Sequence, residues 1–121
     1  MGERIEKFED LMVWQESMNL ATSVYELLSS CKDFGFRDQI QRATVSVPSN
    51  IAEGFDRQTN KEYIQFLYIA KGSLAEVRTQ LCLSIKLNYI DINKGNHLIE
   101  NTRKISSMLF KLIETRKTKF K

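Results

Sequence analysis

The chain has 121 residues, 42% of them hydrophobic and 27% charged, with a net charge of +3 and two cysteines. That is the size of one domain and the balance of an ordinary globular protein, long enough to bury roughly two-thirds of its unfolded surface. It excludes a disulfide scaffold, a low-complexity tract and a membrane-spanning helix, which needs about 18 apolar residues in a row.

The segment Met1-Gly2-Glu3-Arg4-Ile5-Glu6-Lys7 alternates charge, which suits no signal-peptide core, and Glu6 stands where a myristoylation motif needs a hydroxyl. A cytoplasmic protein with no membrane partner is the expectation. The first helix is predicted over about 10–31. Leu11, Trp14, Met18, Ala21, Tyr25 and Leu28 recur at spacings of three and four, the seam of a helix packing nearly parallel to a neighbour. Asp10 is its expected N-cap, and Lys32-Asp33-Phe34-Gly35 the turn that follows.

The second helix is predicted over about 36–54, with Phe36, Ile40, Ala43, Val47 and Ile51 on one side and Gly54 as its C-terminal stop. Its interior holds the chain's one proline, Pro48. The ring removes a backbone hydrogen bond and clashes with the carbonyl of Thr44, costing about 3 kcal/mol or more. A bend is expected there, with Ser46 or Asn50 making polar contacts beside it.

The third helix, about 60–87, opens on the capping box Thr59-Asn60-Lys61-Glu62 and continues through Tyr63, Leu67, Ala70, Leu74, Val77 and Leu81. The fourth, about 92–117, carries Leu98, Thr102, Ile105, Leu109 and Leu112 and decays into a basic tail. Residues 103–121 hold seven bases (Arg103, Lys104, Lys111, Arg116, Lys117, Lys119, Lys121) against Glu114, a net of +6 that leaves −3 for the rest. Two readings of that end stand: a footprint for a polyanion, or a solvated helix terminus whose cations suit the negative dipole end.

Four long helices with short connections predict an all-α, antiparallel up-down-up-down four-helix bundle, kinked in helix 2 at Pro48 and forming one domain over 1–121. Further apolar positions, Leu20, Val24 and Leu27 in helix 1 and Phe66, Ile69 and Leu83 in helix 3, predict burial against other copies of the chain. Cys31 and Cys82 read as small buried or half-buried residues, and His97 as a surface helix residue without metal-ligand neighbours. No Ser/His/Asp set and no Glu-x-x-His pattern on facing helices supports catalysis, so no enzyme activity, metal or cofactor is expected.

Three blocks remain: Phe8-Glu9-Asp10-Leu11 with Val13-Trp14-Gln15, then Gln39-Ile40-Gln41-Arg42-Ala43 with Ser46-Val47-Pro48-Ser49-Asn50-Ile51-Ala52-Glu53-Gly54 and Arg57, then Phe66 to Glu76 with its Ala70-Lys71-Gly72-Ser73-Leu74-Ala75-Glu76 core. Over about residues 8–115 the chain resembles the four-helix-bundle proteins encoded in intervening sequences of bacterial large-subunit (23S) ribosomal RNA genes. That family is similar to the accessory variability determinants of diversity-generating retroelements. The resemblance implies a homopentameric, barrel-like ring. In the retroelement relatives it further implies a basic surface for nucleic acid and a reverse transcriptase partner. Gln41 departs from the second base that many relatives carry beside Arg42, which lowers the local positive charge.

Eight bases are therefore candidates for contacting nucleic acid: Arg37, Arg42, Arg57, Lys61, Lys71, Arg116, Lys117 and Lys119. Ser46, Pro48, Asn50, Glu53, Gly54, Gly72, Ser73 and Glu76 form the structural motif. Within it Glu53 is expected to pair with Arg57 or Arg42, Gly72-Ser73 to permit close helix approach, and Glu76 to be a fixed ion-pair partner. Tyr25, Tyr63, Phe66 and Tyr68 read as core or interface ahead of base stacking. The function expected is a non-catalytic homo-oligomer that binds structured RNA or DNA as an accessory factor. A structural or adaptor ring with a protein partner is the alternative.

Overall fold

Helix boundaries follow the caps. The computed structural model describes residues 4–120; Met1, Gly2, Glu3 and the terminal base Lys121 lie outside the described residues. Phe8–Asp10 form a single 3-10 turn, so Asp10 is not a cap. Leu11 is extended after it, and α1 spans Met12–Leu27. The helix ends earlier than its apolar spacing implies, because Leu28 leaves helical geometry and Cys31 N–H closes a tight turn on the Leu28 carbonyl.

α2 spans Phe34–Phe55. Phe34 and Gly35 belong to its first turn and not to the preceding loop, because Asp33 is the cap: its Oδ1 accepts the Phe36 N–H at 3.2 Å. α2 continues through buried Pro48 and passes Gly54 by one residue. α3 spans Asn60–Lys86 behind the Thr59 cap, and α4 spans Ile92–Lys119 behind the Asp91 cap. The basic end is thus helical and not a tail. Between α3 and α4, Asn88 takes the left-handed conformation (φ 59°) that Asn tolerates, and Tyr89 N–H reaches back to the Ser84 carbonyl at 2.9 Å.

α2 packs on α1 and α3, and α4 packs on α3 and α1; among the described residues the backbones of α1 and α3, and of α2 and α4, come no closer than 8 Å between Cα atoms. The chain is therefore a four-helix bundle with those pairs on its diagonals. Ser46 of α2 meets Ser73 of α3, whereas Gly54 meets Phe66, so residue numbers rise along α2 as they fall along α3.

The core takes Ile40, Ala43, Val47 and Ile51 from α2 and all six expected positions of α3. Leu98, Ile105, Leu109 and Ile113 come from α4, around buried Thr102. On α1 the buried stripe is Val13, Ser17, Leu20 and Val24, continued by Leu28. The expected seam is the other one: Met18 and Tyr25 are exposed, and Leu11, Trp14 and Ala21 only half-buried. Cys31 is buried, but Cys82 is exposed. Among the described residues no helix is long and apolar enough to cross a membrane.

Candidate nucleic-acid interface

The start of α3 fixes the site. Thr59 Oγ1 accepts the Glu62 N–H at 3.1 Å, and its hydroxyl donates to Glu62 Oε1 at 2.9 Å. This exchange places Asn60 against the end of α4. Asn60 Nδ2 donates to the carbonyls of Arg116, at 2.9 Å, and Phe120, while its Oδ1 accepts Arg116 Nε at 2.7 Å. One amide thereby holds the C-terminal turn of α4, and with it the Arg116, Lys117 and Lys119 cations, beside the N-terminus of α3.

Arg116 lies between two rings, 4.9 Å from the centroid of Tyr63 and 3.7 Å from that of Phe120. Cations over aromatic faces are attracted by the ring quadrupole. Lys117 Nζ donates to the Tyr68 phenol oxygen at 2.6 Å. That bond, helped by Glu114 3.9 Å away, holds the ammonium above its ordinary value, so it stays charged. Arg57 pairs with Glu53 at 2.5 Å and lies 3.8 Å from Glu62 and 4.7 Å from the centre of the Phe66 ring. Both partners of the closer pair are exposed, so it orients Arg57 more than it stabilises the fold.

Two open clefts flank Phe120. One, of about 600 Å³, is lined by Arg4, Arg57, Asn60, Tyr63 and Arg116; the other, of about 670 Å³, by Lys61, Gln65, Tyr68 and Lys117. Tyr68 and Phe120 are 47% and 45% exposed, with Lys117 Nζ 5.1 Å from the Tyr68 ring centroid and Arg116 over the Phe120 ring. Among the described residues, Arg4, Lys61, Arg116 and Lys119 have no carboxylate within ion-pair distance.

The eight expected bases do not form one surface. Arg57, Lys61, Arg116, Lys117 and Lys119 gather at this end of the bundle. Arg37 lies in the first turn of α2, where Nη1 donates to the Cys31 carbonyl at 3.5 Å and the guanidinium lies 4.8 Å from the Phe34 ring centre. Arg42 lines a shallow depression midway along α2 and α3 with Ser46, Ser73 and Glu76, and Lys71 is half-buried on α3. Arg4 and Asn60 went unnoticed in the sequence. An arginine ahead of the first helix and an asparagine inside a capping box carry no signal without the fold that joins them.

The structural motif docks α2 on α3. Asn50 Nδ2 donates to the Ser46 carbonyl and hydroxyl, both at 2.8 Å, and the Ser46 and Ser73 hydroxyls meet at 2.9 Å. Gly54 is where the helices close up, since a Cβ there would lie 2.7 Å from Phe66 Cβ. Gly72 does not serve that purpose within the chain, as its missing Cβ would meet nothing within 4 Å. Glu76 is exposed and makes no ion pair among the described residues, so it is not the fixed partner expected. Of the four aromatics assigned to core or interface, Tyr63 is buried and Phe66 half-buried, whereas Tyr25 and Tyr68 are on the surface. Burial pushes the Tyr63 phenol up to about 12, against the opposing pull of Arg116.

Residues 9–111 match the family of 23S rRNA-intervening sequence proteins. The fold is similar to a crystal structure from Bacteroides thetaiotaomicron, described as a protein of unknown function from the S23 ribosomal protein family. That likeness has a TM-score of 0.80 at 26% identity and covers 86% of this chain and 100% of the other. No curated protein matches.

Proposed function

The chain belongs to the 23S rRNA-intervening sequence protein family, and from that premise we propose that it is a non-catalytic, homo-oligomeric accessory factor that binds RNA or DNA through the basic end of its bundle. The observation that carries the reading is the gathering of Arg4, Lys61 and Arg116 in the clefts beside the exposed Tyr68 and Phe120, with Lys119 in the same last turn of α4 as Arg116, all four without carboxylate partners among the described residues. Cations beside exposed aromatic side chains suit phosphates and unstacked bases together. A ring of five, which resemblance to the retroelement proteins suggests, would present this end several times over.

Fluorescence anisotropy with an RNA hairpin and a DNA duplex tests the reading. Four phosphate contacts predict a log–log salt slope near −3.6 on duplex, roughly a 10²-fold loss of affinity between 50 and 200 mM salt. Lys61→Gln and Lys119→Gln each reduce that slope by about 1, whereas Arg42→Gln, away from this end, leaves it unchanged. No binding at about 50 mM salt, or a slope indifferent to Lys61 and Lys119, refutes it. The outer faces of α1 and α3, on which Glu26 and, between residues 65 and 83, Glu76 are the exposed charges, favour a second reading, an adaptor whose partner is a protein. Its mark is a partner recovered after nuclease treatment, with no affinity for either nucleic acid.

A further inference from the structure

Asn60 opens α3 but serves a different helix. Thr59 and Glu62 already cap α3 between them, so its first turn has no need of the Asn60 side chain. Both ends of that amide turn instead to α4. Nδ2 donates to the carbonyls of Arg116 and Phe120, and Oδ1 accepts Arg116 Nε, partners that lie 56 and 60 residues further along the chain. The Arg116 carbonyl belongs to the last turn of α4, where carbonyls have no partner within their own helix. Asn60 thus does for the end of α4 what a C-cap does from within a helix. The match to the family ends at residue 111, before this turn, so the arrangement does not follow from family membership.

Arg116 is the cation most tightly fixed. Asn60 holds its Nε, and the ring centroids of Tyr63 and Phe120 lie 4.9 and 3.7 Å from its guanidinium carbon. Tyr63 is buried, so one side of this stack is anchored in the core. Among the described residues neither Nη of Arg116 makes a hydrogen bond. Arg116, Asn60 and Arg4 line the same cleft. A long cationic side chain that is already immobile loses little freedom when a phosphate reaches it, whereas a free one forfeits up to about 10-fold in affinity.

We infer that Asn60 is the positioning residue of the basic end: with no charge of its own, it sets affinity for nucleic acid by holding Arg116 and the last turn of α4 ready to meet phosphates. The inference rests on the nucleic-acid reading above. Positioning has a signature that charge does not share. Loosening the turn leaves every cation in the chain, so the complex neutralises as many phosphates and releases as many counterions as before. Affinity then falls by the same factor at every salt concentration, and the log–log slope stays. Removing a cation changes the slope instead.

Asn60→Leu tests it, since leucine is close to asparagine in shape, is likewise uncharged, and makes none of the three bonds. In anisotropy titrations with the same RNA hairpin and DNA duplex, the variant is expected to bind about 10-fold more weakly than the parent chain throughout the salt range, with its slope on duplex unchanged. In an Arg116→Gln chain the same substitution is expected to cost less than about 3-fold, because the side chain it positions is gone. Without nucleic acid, trypsin is expected to cut after Lys117 and Lys119 about 10-fold faster in Asn60→Leu, as the last turn opens more often. Affinity equal to the parent's, a slope that drops by about 1 or more, or equal trypsin rates each overturn the inference and leave nucleic-acid binding standing. A full 10-fold cost in the Arg116→Gln chain shows Asn60 acting independently of Arg116 and overturns it as well. A parent chain that binds neither nucleic acid at about 50 mM salt overturns both readings. Where Asn60→Leu loses the native circular dichroism spectrum, Asn60→Ala replaces it and is read by the same rule.

Discussion

Gly54 and Gly35 both sit in α2, yet the space around them differs completely. A methyl on Gly54 would lie 2.7 Å from Phe66 Cβ, 3.2 Å from the Tyr63 ring and 3.3 Å from the Tyr63 carbonyl, so α2 or α3 has to shift to admit it. One around Gly35 meets nothing within 4 Å. Overpacking costs typically about 1–3 kcal/mol, whereas alanine in an open helical position gains up to about 1 kcal/mol over glycine. Gly54→Ala is therefore expected to lower the urea midpoint, and Gly35→Ala to hold or raise it. Equal shifts for the two would show that the Gly54 contact with α3 is not what selects the glycine. The sequence marks Gly54 as a helix stop; it is instead a point of contact. The spacing of Phe66 from Gly54 across two helices is a tertiary fact that no local pattern encodes.

Among the helices, α3 was the most legible and α1 the least. In α3 a capping box fixes the start, and the apolar positions leave one clean stripe whose six members are all buried. α1 carries two stripes, and its true core stripe is interrupted by Ser17, whose hydroxyl donates to the Trp14 carbonyl at 2.8 Å and so satisfies itself within the helix. A buried serine hides the core side, while Trp14, Met18 and Tyr25 on the outer side look more hydrophobic than the core. The basic site divided in the same way. Four of its five gathered bases come from the helix ends that the capping box and the charge run mark, Arg57 comes from the loop between α2 and α3, and the three scattered ones are bases that sequence alone cannot place around the bundle.

The opposite end of the bundle carries a pH-dependent clasp between its two loops. Asp33 caps α2 with Oδ1 and accepts the Tyr89 phenol on Oδ2 at 2.7 Å, while the Tyr89 ring packs edge-on to Phe36 with centroids 5.5 Å apart. The phenol first, then the Phe36 N–H, holds the Asp33 carboxyl below its ordinary value; the same bond holds the Tyr89 phenol above its own. Asp33 therefore contributes stability that is complete above an ordinary carboxyl pKa of about 3.9 and is lost as pH falls through the lowered folded value. Tyr89 contributes stability that is complete below about pH 10 and is lost as pH rises past it. Tyr89→Phe keeps the ring and removes the bond. Its thermal midpoint should be lower near neutral pH and approach that of the parent chain below about pH 4. Curves that stay parallel into acid would show that the contribution of the bond does not depend on the charge of Asp33.

At the scale of the whole molecule, the surfaces divide among different parts of the bundle: cations gather at one end, faces poor in charge cover α1 and α3, and α4 is charged along its length. Rotation about a ring axis carries each basic end onto the next, so a closed assembly sets all of them at one height along that axis. One long nucleic acid then meets several sites, and every site after the first binds at an effective concentration set by the ring. Linked sites of this kind gain roughly 10²–10⁴ in affinity without a new contact. A double variant on the exposed face of α3, Gly72→Glu with Leu83→Glu, designed to block self-assembly, keeps Lys61, Arg116 and Lys119. It is expected to bind a long RNA about 10²-fold more weakly than the parent chain, with a shallower salt slope, yet to match the parent on an oligonucleotide that spans one site. Anisotropy titrations with the two lengths decide it. If long and short RNA lose affinity together, the substitutions have damaged the site itself, and if neither changes, assembly contributes nothing to binding.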